Sequence, residues 1–284
     1  MKSKIEKTVA IPKLILFTGK LLQLISQKAT LLFAARLFTT PIKHKIPKRE
    51  IGMDTHSVQQ KISIPSIKKE IIVYRYGTAN KKILLVHGWS GRGTQLVKIA
   101  DELQKKGYST ISFDAPAHRK SPGNQSIMTE FIASIMEIDR LYGPFQAAIG
   151  HSLGGMALLN ASKDGLKIAK LITIGSGDKV KDILDDFVTK LKLKPEMSDL
   201  LQLHFEHQFG MLMDRYSAYH AAKEITIPVL VIHDENDSEV PVKSALHIHQ
   251  HLKKGTLFLT KKLGHRKILG NPEVIEKTVN FIIH

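Results

Sequence analysis

The 284-residue sequence contains no cysteine. A disulfide framework, thiolate metal sites and a cysteine nucleophile are therefore excluded. Acidic residues are also scarce: 26 Asp and Glu stand against 42 Lys and Arg, a formal net charge of 42 − 26 = +16. Long apolar runs are missing too. In the most apolar stretch, residues 11–38, charge-free runs reach only six or seven residues. A membrane-spanning helix needs roughly 20 apolar residues. Lys13 and Lys20 likewise interrupt the apolar centre a signal peptide would need, and no small-x-small cleavage site follows. What is present is ordinary for a folded chain. Hydrophobic residues make up 43% and charged residues 24%, which argues against wholesale disorder. The length permits a sizeable core without staples.

The charge is unevenly placed. Residues 1–50 carry eleven Lys or Arg and two Asp or Glu, a net of 11 − 2 = +9, leaving +7 for residues 51–284. The first fifty residues thus read as a basic amphipathic extension, with one helix or a broken pair of helices over 11–38. At 100° per residue Leu14, Leu21, Leu22, Ile25, Ala29, Leu32 and Phe33 fall on one stripe, with Lys13, Lys20, Gln23, Gln27 and Lys28 opposite. Two readings follow. Either the stripe packs on the main domain with its lysines in water, or residues 1–45 form an interfacial helix on anionic lipid. Pro41, Lys43-His44-Lys45 and Pro47 mark a linker into the domain. With neither signal peptide nor spanning helix, the protein is expected in the cytoplasm, with this extension as its route to a membrane surface.

Beyond residue 55 short aliphatic runs alternate with helical spacing. Strands are expected at 61–64, 70–76, 83–87, 109–113, 145–150, 169–174, 227–233 and 256–260. Helices are expected at 93–106, 125–141, 153–163, 242–253 and 272–282. The first two strands lie close enough for a hairpin. The rest alternate with helices, which implies an α/β domain with a mostly parallel sheet covered on both faces. Residues 178–222 break the rhythm: they are helical, rich in Leu, Met, Phe and His, and too long for a loop. They read as a helical cap over the end of the sheet.

Chemistry concentrates at strand ends. Gly150-His151-Ser152-Leu153-Gly154-Gly155 matches G-x-S-x-G between a strand and a helix. A sharp turn there lifts a serine hydroxyl above the sheet, and the following helix aims its amides at a developing oxyanion. His87-Gly88-Trp89 follows another strand, so the amides of Trp89 and Leu153 are the candidate oxyanion donors. A hydroxyl needs a base, and the base a carboxylate that orients it. His265 lies just past the last strand. Asp234, Glu235 and Asp237 all follow the strand at 227–233. Asp237 is preferred, because it sits further into its loop, just before Val240-Pro241. His87, His118 and His151 are candidate substrate contacts. His247 and His251 share a helical face at metal-ligand spacing, but no carboxylate cluster accompanies them, so no metal is assigned.

These motifs together resemble the α/β-hydrolase-fold serine hydrolases over about residues 57–284. The matching stretches are His87-Gly88-Trp89, Gly150 to Gly155, Asp237-x-x-Val240-Pro241 and Gly264-His265. Phe113-Asp114-Ala115-Pro116-Ala117-His118 also resembles the family's segment after its fourth strand, except that Arg119 stands where many members have glycine. The resemblance implies an eight-stranded sheet, a cap at 178–222, a Ser152–His265–Asp237 triad and no cofactor.

The expected activity is hydrolysis of a small acyl substrate, an ester or thioester, through an acyl-enzyme. A serine nucleophile disfavours the relatives that use aspartate to open epoxides. A lipid hydrolase recruited by the basic helix is the alternative. A non-catalytic binding module is disfavoured by the complete set of nucleophile, base, acid and oxyanion glycine. Nucleic-acid binding is not expected, because the basic excess lies in an apolar helix and no nucleic-acid motif is present.

Overall fold

The computed structural model describes residues 11–284; the first ten residues of the 1–50 extension lie outside the described residues. The chain begins with α1 (Lys13–Ile25) and α2 (Gln27–Thr39), then a short α3 (Ile51–His56). The hydrolase-like part follows as β1 (Val58–Ile64), β2 (Lys69–Tyr76), β3 (Lys82–Val86), α4 (Val97–Lys105), β4 (Ser109–Asp114), α5 (Met128–Tyr142), β5 (Phe145–His151), α6 (Leu153–Lys163) and β6 (Ile168–Ile174). Next come α7 (Val180–Lys190), α8 (Glu196–Phe209) and α9 (Ala218–Glu224). The chain closes with β7 (Val229–Asp234), α10 (Lys243–His251), β8 (Gly255–Thr260), α11 (Gly264–Lys267) and α12 (Pro272–Ile283).

The strands form one eight-stranded sheet in the order β1-β2-β4-β3-β5-β6-β7-β8. β2 pairs antiparallel with β1 and β4, and every later pairing is parallel. The parallel strands are near-continuous aliphatic runs because both faces are covered. In β3 the period of two divides the residues cleanly. Leu84 and Val86 face a core with Phe131 and Ile135 of α5 and Met156 and Leu159 of α6. Ile83 and Leu85 face a second core with Ile99 and Leu103 of α4 and Val274 and Val279 of α12. A one-residue slip would exchange the two sets, so packing fixes the register.

The elements match the expected ones closely, with a difference at β1. It starts at Val58, three residues before the expected run, because Val58, Gln59, Gln60 and Lys61 are exposed on an edge strand. Exposed polar residues leave no aliphatic signal.

The N-terminal helices break at Ser26, whose side chain caps α2 by accepting from the Ala29 amide at 3.2 Å. They pack on the helices between β6 and β7. Ala34 and Ala35 of α2 join Leu184 and Val188 of α7 and Met197, Leu201 and Phe205 of α8 in a third core, separate from the two on the sheet. α1 approaches closely over Gly19, where an added Cβ would meet Leu193 at 3.3 Å and Phe33 at 3.6 Å. The apolar stripe read from the sequence is divided by this docking. Leu22 and Phe33 are partly covered, whereas Leu14, Leu21, Ile25 and Leu32 are exposed. The break at Ser26 changes the phase between the two helices, so one continuous wheel does not describe both.

The linker is fastened beside the ends of β3 and β4. The Ile42 amide donates to Ser90 Oγ at 2.9 Å, and Lys43 Nζ to the Ser121 carbonyl at 3.0 Å. Buried Glu50 accepts from Arg92 Nη2 at 2.7 Å and from Thr94 Oγ1 at 2.8 Å. A buried carboxylate needs such partners, and losing one of them is costly.

Candidate active site

The turn from β5 into α6 carries Ser152. Its backbone is left-handed, with φ 53° and ψ −121°, a conformation that non-glycine residues hold only when their surroundings impose it. Here the Ser152 amide donates to the Ile174 carbonyl of β6 at 2.9 Å. Neighbouring glycines provide the space. A Cβ on Gly154 would lie 2.5 Å from the Val86 and His87 carbonyls, so α6 packs against the end of β3 only with glycine there. A Cβ on Gly88 would lie 2.9 Å from Ser152 Cβ. The loop after β3 and the serine turn are thus in direct contact, which places Trp89 beside Leu153. The amides of Trp89 and Leu153 make no hydrogen bond among the described residues.

His265 and Asp237 meet from two different loops. His265 Nδ1 lies 2.6 Å from Asp237 Oδ2, with both side chains buried. Burial raises the Asp237 pKa, but the His265 hydrogen bond and charge, with the Val240 and Glu239 amides, outweigh it and hold the carboxyl below its usual value. The Glu239 and Val240 amides donate to Asp237 Oδ1 at 2.8 and 2.9 Å, leaving Oδ2 for the histidine. The competing acid, Asp234, does a different job. It accepts from the Leu263 and Gly264 amides at 3.0 Å each and from Thr260 Oγ1 at 2.8 Å. Burial raises its pKa, but these donors and the Asn236 amide bring it below the usual value. Asp234 therefore anchors the segment that carries His265, a role that loop position alone did not reveal. Glu235 forms an exposed ion pair with Lys261.

The expectation that His87, His118 and His151 contact substrate is corrected by their surroundings. All three are buried, with ring nitrogens turned to protein partners. His87 Nε2 accepts from the Ala115 amide at 3.0 Å and its Nδ1 donates to the Gly88 carbonyl at 2.7 Å. His118 Nε2 accepts from the Ser90 amide at 3.2 Å and its Nδ1 donates to the Pro116 carbonyl at 2.9 Å. His151 Nε2 donates to the His265 carbonyl at 2.9 Å, with the two rings 4.6 Å apart. Burial lowers His118 to about 4 and His151 to about 3. They are neutral braces: two hold the loop bearing Trp89, and one ties the serine turn to the His265 loop. Arg119, at the family's glycine position, keeps the left-handed backbone with φ 41°.

Above the serine lies a cleft of about 600 Å³. Ser152, Leu153, Trp89 and Met156 line one side, and Val180, Ile183 and Phe187 of α7 and Phe205 and Phe209 of α8 another. Leu37 and Phe38 of α2 line it as well. Phe38 meets Phe187 edge-on at 5.1 Å and Phe205 at 5.6 Å. Sequence reasoning missed this contribution, because α2 is more than a hundred residues from the serine and only its packing on α7 and α8 brings it there. His247 faces Asp178 at 2.5 Å, and His251 Nδ1 donates to the His247 carbonyl at 2.8 Å, so both helix-face histidines have protein partners.

A strained serine on a strand-to-helix turn, a buried His–Asp pair from the last two strand ends and an eight-stranded mostly parallel sheet define a class. The family model for the α/β hydrolase fold matches residues 81–220, and that for TAP-like proteins matches residues 214–283. The chain belongs to the α/β-hydrolase-fold hydrolase family. No curated protein matches the sequence. Among solved structures it is similar to an esterase from Exiguobacterium antarcticum, with 17% identity over 80% of this chain and 100% of that one, at a TM-score of 0.64. It is also similar to an esterase from Pyrococcus furiosus, with 17% identity over 86% and 95% and a TM-score of 0.65. A membrane phospholipase A described as a bacterial virulence factor aligns over 95% of this chain and 96% of its own, with 18% identity and a TM-score of 0.62.

Proposed function

We propose that the protein is a serine hydrolase that cleaves carboxylic esters or thioesters of apolar acids through an acyl-enzyme. The observation that carries this reading is the 2.6 Å contact between His265 Nδ1 and Asp237, tied by His151 to the turn that bears Ser152. With Nδ1–H donated to the carboxylate, Nε2 is the unprotonated nitrogen and serves as the base. Ser152 Oγ attacks the carbonyl carbon while its proton passes to His265 Nε2. The carbonyl oxygen becomes an oxyanion held by the Trp89 and Leu153 amides. Collapse breaks the bond to the leaving oxygen or sulfur, which takes the proton from His265. Water then repeats the sequence on the acyl-serine, with His265 again as base, and releases the acid. Asp237 orients the ring and stabilises the imidazolium without taking the proton.

The cleft is predominantly apolar around Met156, Ile183, Phe187 and Phe205, which suits an acyl chain, while charged side chains such as Asp182, Lys190 and Lys243 also line it. Labelling with a fluorophosphonate tests the chemistry. Parent protein should label at Ser152 and Ser152→Ala should not. Folded parent that fails to label would overturn the reading.

A further inference from the structure

Five large apolar side chains of α1 face solvent. Leu14, Phe17, Leu24 and Ile25 are 75%, 65%, 85% and 70% exposed, and Leu21 is exposed beside them. At 100° per residue they occupy an arc of about 100°. Singly exposed apolar residues are normal, but a continuous stripe marks an interaction surface. The opposite side of α1 is already used, by Gly19 against Leu193 and Phe33 and by Gln23 Oε1, which accepts from the Lys194 amide at 2.7 Å. The exposed stripe is therefore left over after the helix has docked.

The charges on the helical pair itself carry one sign. Lys13 and Lys20 border the stripe on α1, and exposed Lys28 and Arg36 lie one turn apart on either side of exposed Leu32 on α2. None of these four makes an ion pair among the described residues. No acidic residue occurs between Glu6 and Glu50, and Glu50 is buried against Arg92. Pairing two copies of this face would bring like charges together, and its shape is a single convex helix rather than a groove. An apolar stripe edged by cations suits a surface with acyl chains below and anionic headgroups above.

We propose that the N-terminal helical pair is a membrane-docking element. The apolar face of α1, edged by Lys13, Lys20, Lys28 and Arg36, seats the protein on bilayers that carry anionic lipid. Because α2 also supplies Leu37 and Phe38 to the cleft, the same pair holds the acyl site at that surface; this second part rests on the hydrolase reading, and the docking itself does not.

Flotation of the full chain with phosphatidylcholine vesicles, with and without phosphatidylglycerol, reads the docking directly. The parent should float with the anionic vesicles and dissociate at high salt. Phe17→Ser combined with Leu21→Ser and Leu24→Ser should weaken binding by at least about tenfold. Lys13→Gln combined with Lys20→Gln and Lys28→Gln should weaken it by about 100-fold, about fivefold per cation. Both variants should keep the parent Tm and its turnover of a short soluble ester, since these side chains touch neither the cleft nor the triad. Ser152→Ala should float like the parent, so a failed hydrolase reading leaves this test intact. Three results would overturn the proposal: a parent that ignores anionic vesicles, a Phe17→Ser, Leu21→Ser, Leu24→Ser triple variant that binds as the parent does, or a parent dimer that this triple variant dissociates.

Discussion

The two ends of the cleft are built on opposite principles. The sheet side is dense with hydrogen-bonded polar groups. Asp234, Asp237, His87, His118 and His151 are each committed to named backbone atoms of the loops around the serine turn. The helical side, made by α2, α7 and α8, is held mainly by apolar contact around Ala34, Leu184 and Phe205, with Lys181 of α7 paired to Asp199 of α8 at its surface. Polar bonds are directional, so they fix atoms to fractions of an ångström, as acyl transfer requires. Apolar packing tolerates changes of shape and volume, as the proposed pocket for variable acyl chains would require. Substitutions on the sheet side should therefore damage every substrate alike, and those on the helical side should sort substrates by chain length.

The largest effect is expected at Ser152, the proposed nucleophile. Ser152→Ala should lower kcat by about 10⁶-fold for short and long esters alike, with unchanged Tm. Steady-state rates on a ladder of p-nitrophenyl esters check this, and a loss confined to long esters would break the division between the two sides. Asp237→Asn should cost about 10⁴-fold in kcat, because an amide presented to Nδ1 favours the wrong tautomer of His265. If the acid were Asp234, Asp237→Asn would instead be nearly silent.

That choice shows how far the sequence carried. G-x-S-x-G, the His87-Gly88-Trp89 turn and the late Asp237 and His265 are legible as candidates, because each is a short motif tied to a strand end and the aliphatic runs reveal the strands. The separate duties of Asp234 and Asp237 rest on contacts with Gly264 and His265, which come within reach only after β7 and β8 pair. The three buried histidines look like substrate contacts in the sequence for the same reason. A histidine beside a motif looks the same in sequence whether its ring faces substrate or a carbonyl. The extension was legible as helical and basic, but not as part of the cleft. Its third core joins residues 34–35 to 184–205 and has no motif to announce it.

Phe38 tests the helical side. It packs on Phe187 and Phe205 and lines the cleft far from the triad in sequence. Phe38→Ala should lower kcat/KM for long acyl chains by about 10- to 100-fold while short esters keep kcat within about twofold. Truncating a packed aromatic also costs about 3 kcal/mol of stability at a fully buried site, and less at this half-buried one. Tm should therefore be followed alongside the rates. An equal loss on all esters would mean that α2 positions the catalytic groups, and that the two sides are mechanically one.

The smallest effect is a pH dependence of stability that should originate on the sheet side. Burial lowers His118 from 6.5 to about 4. Between those values the unfolded chain binds a proton that the folded one refuses, so stability rises with pH across that window and is fully present above about 6.5. Lowering the pH from 7.5 to 5 should therefore cost about 2 kcal/mol through this ring alone. Buried His151, lowered to about 3, acts with the same sign. The Asp237 contribution runs through a lower window. Its folded pKa lies below the ordinary carboxylate value of 3.8, so what it adds is present above that value and lost as pH falls through the folded one. His118→Gln isolates the histidine part, because the amide oxygen can still accept from the Ser90 amide but cannot bind a proton in this range. Denaturant midpoints of parent and variant at pH 7.5 and 5 should converge as the pH falls. If they stay parallel, the loop that holds Trp89 is not braced by a neutral imidazole, and the contrast between a polar, fixed side and an apolar, yielding one loses one of its supports.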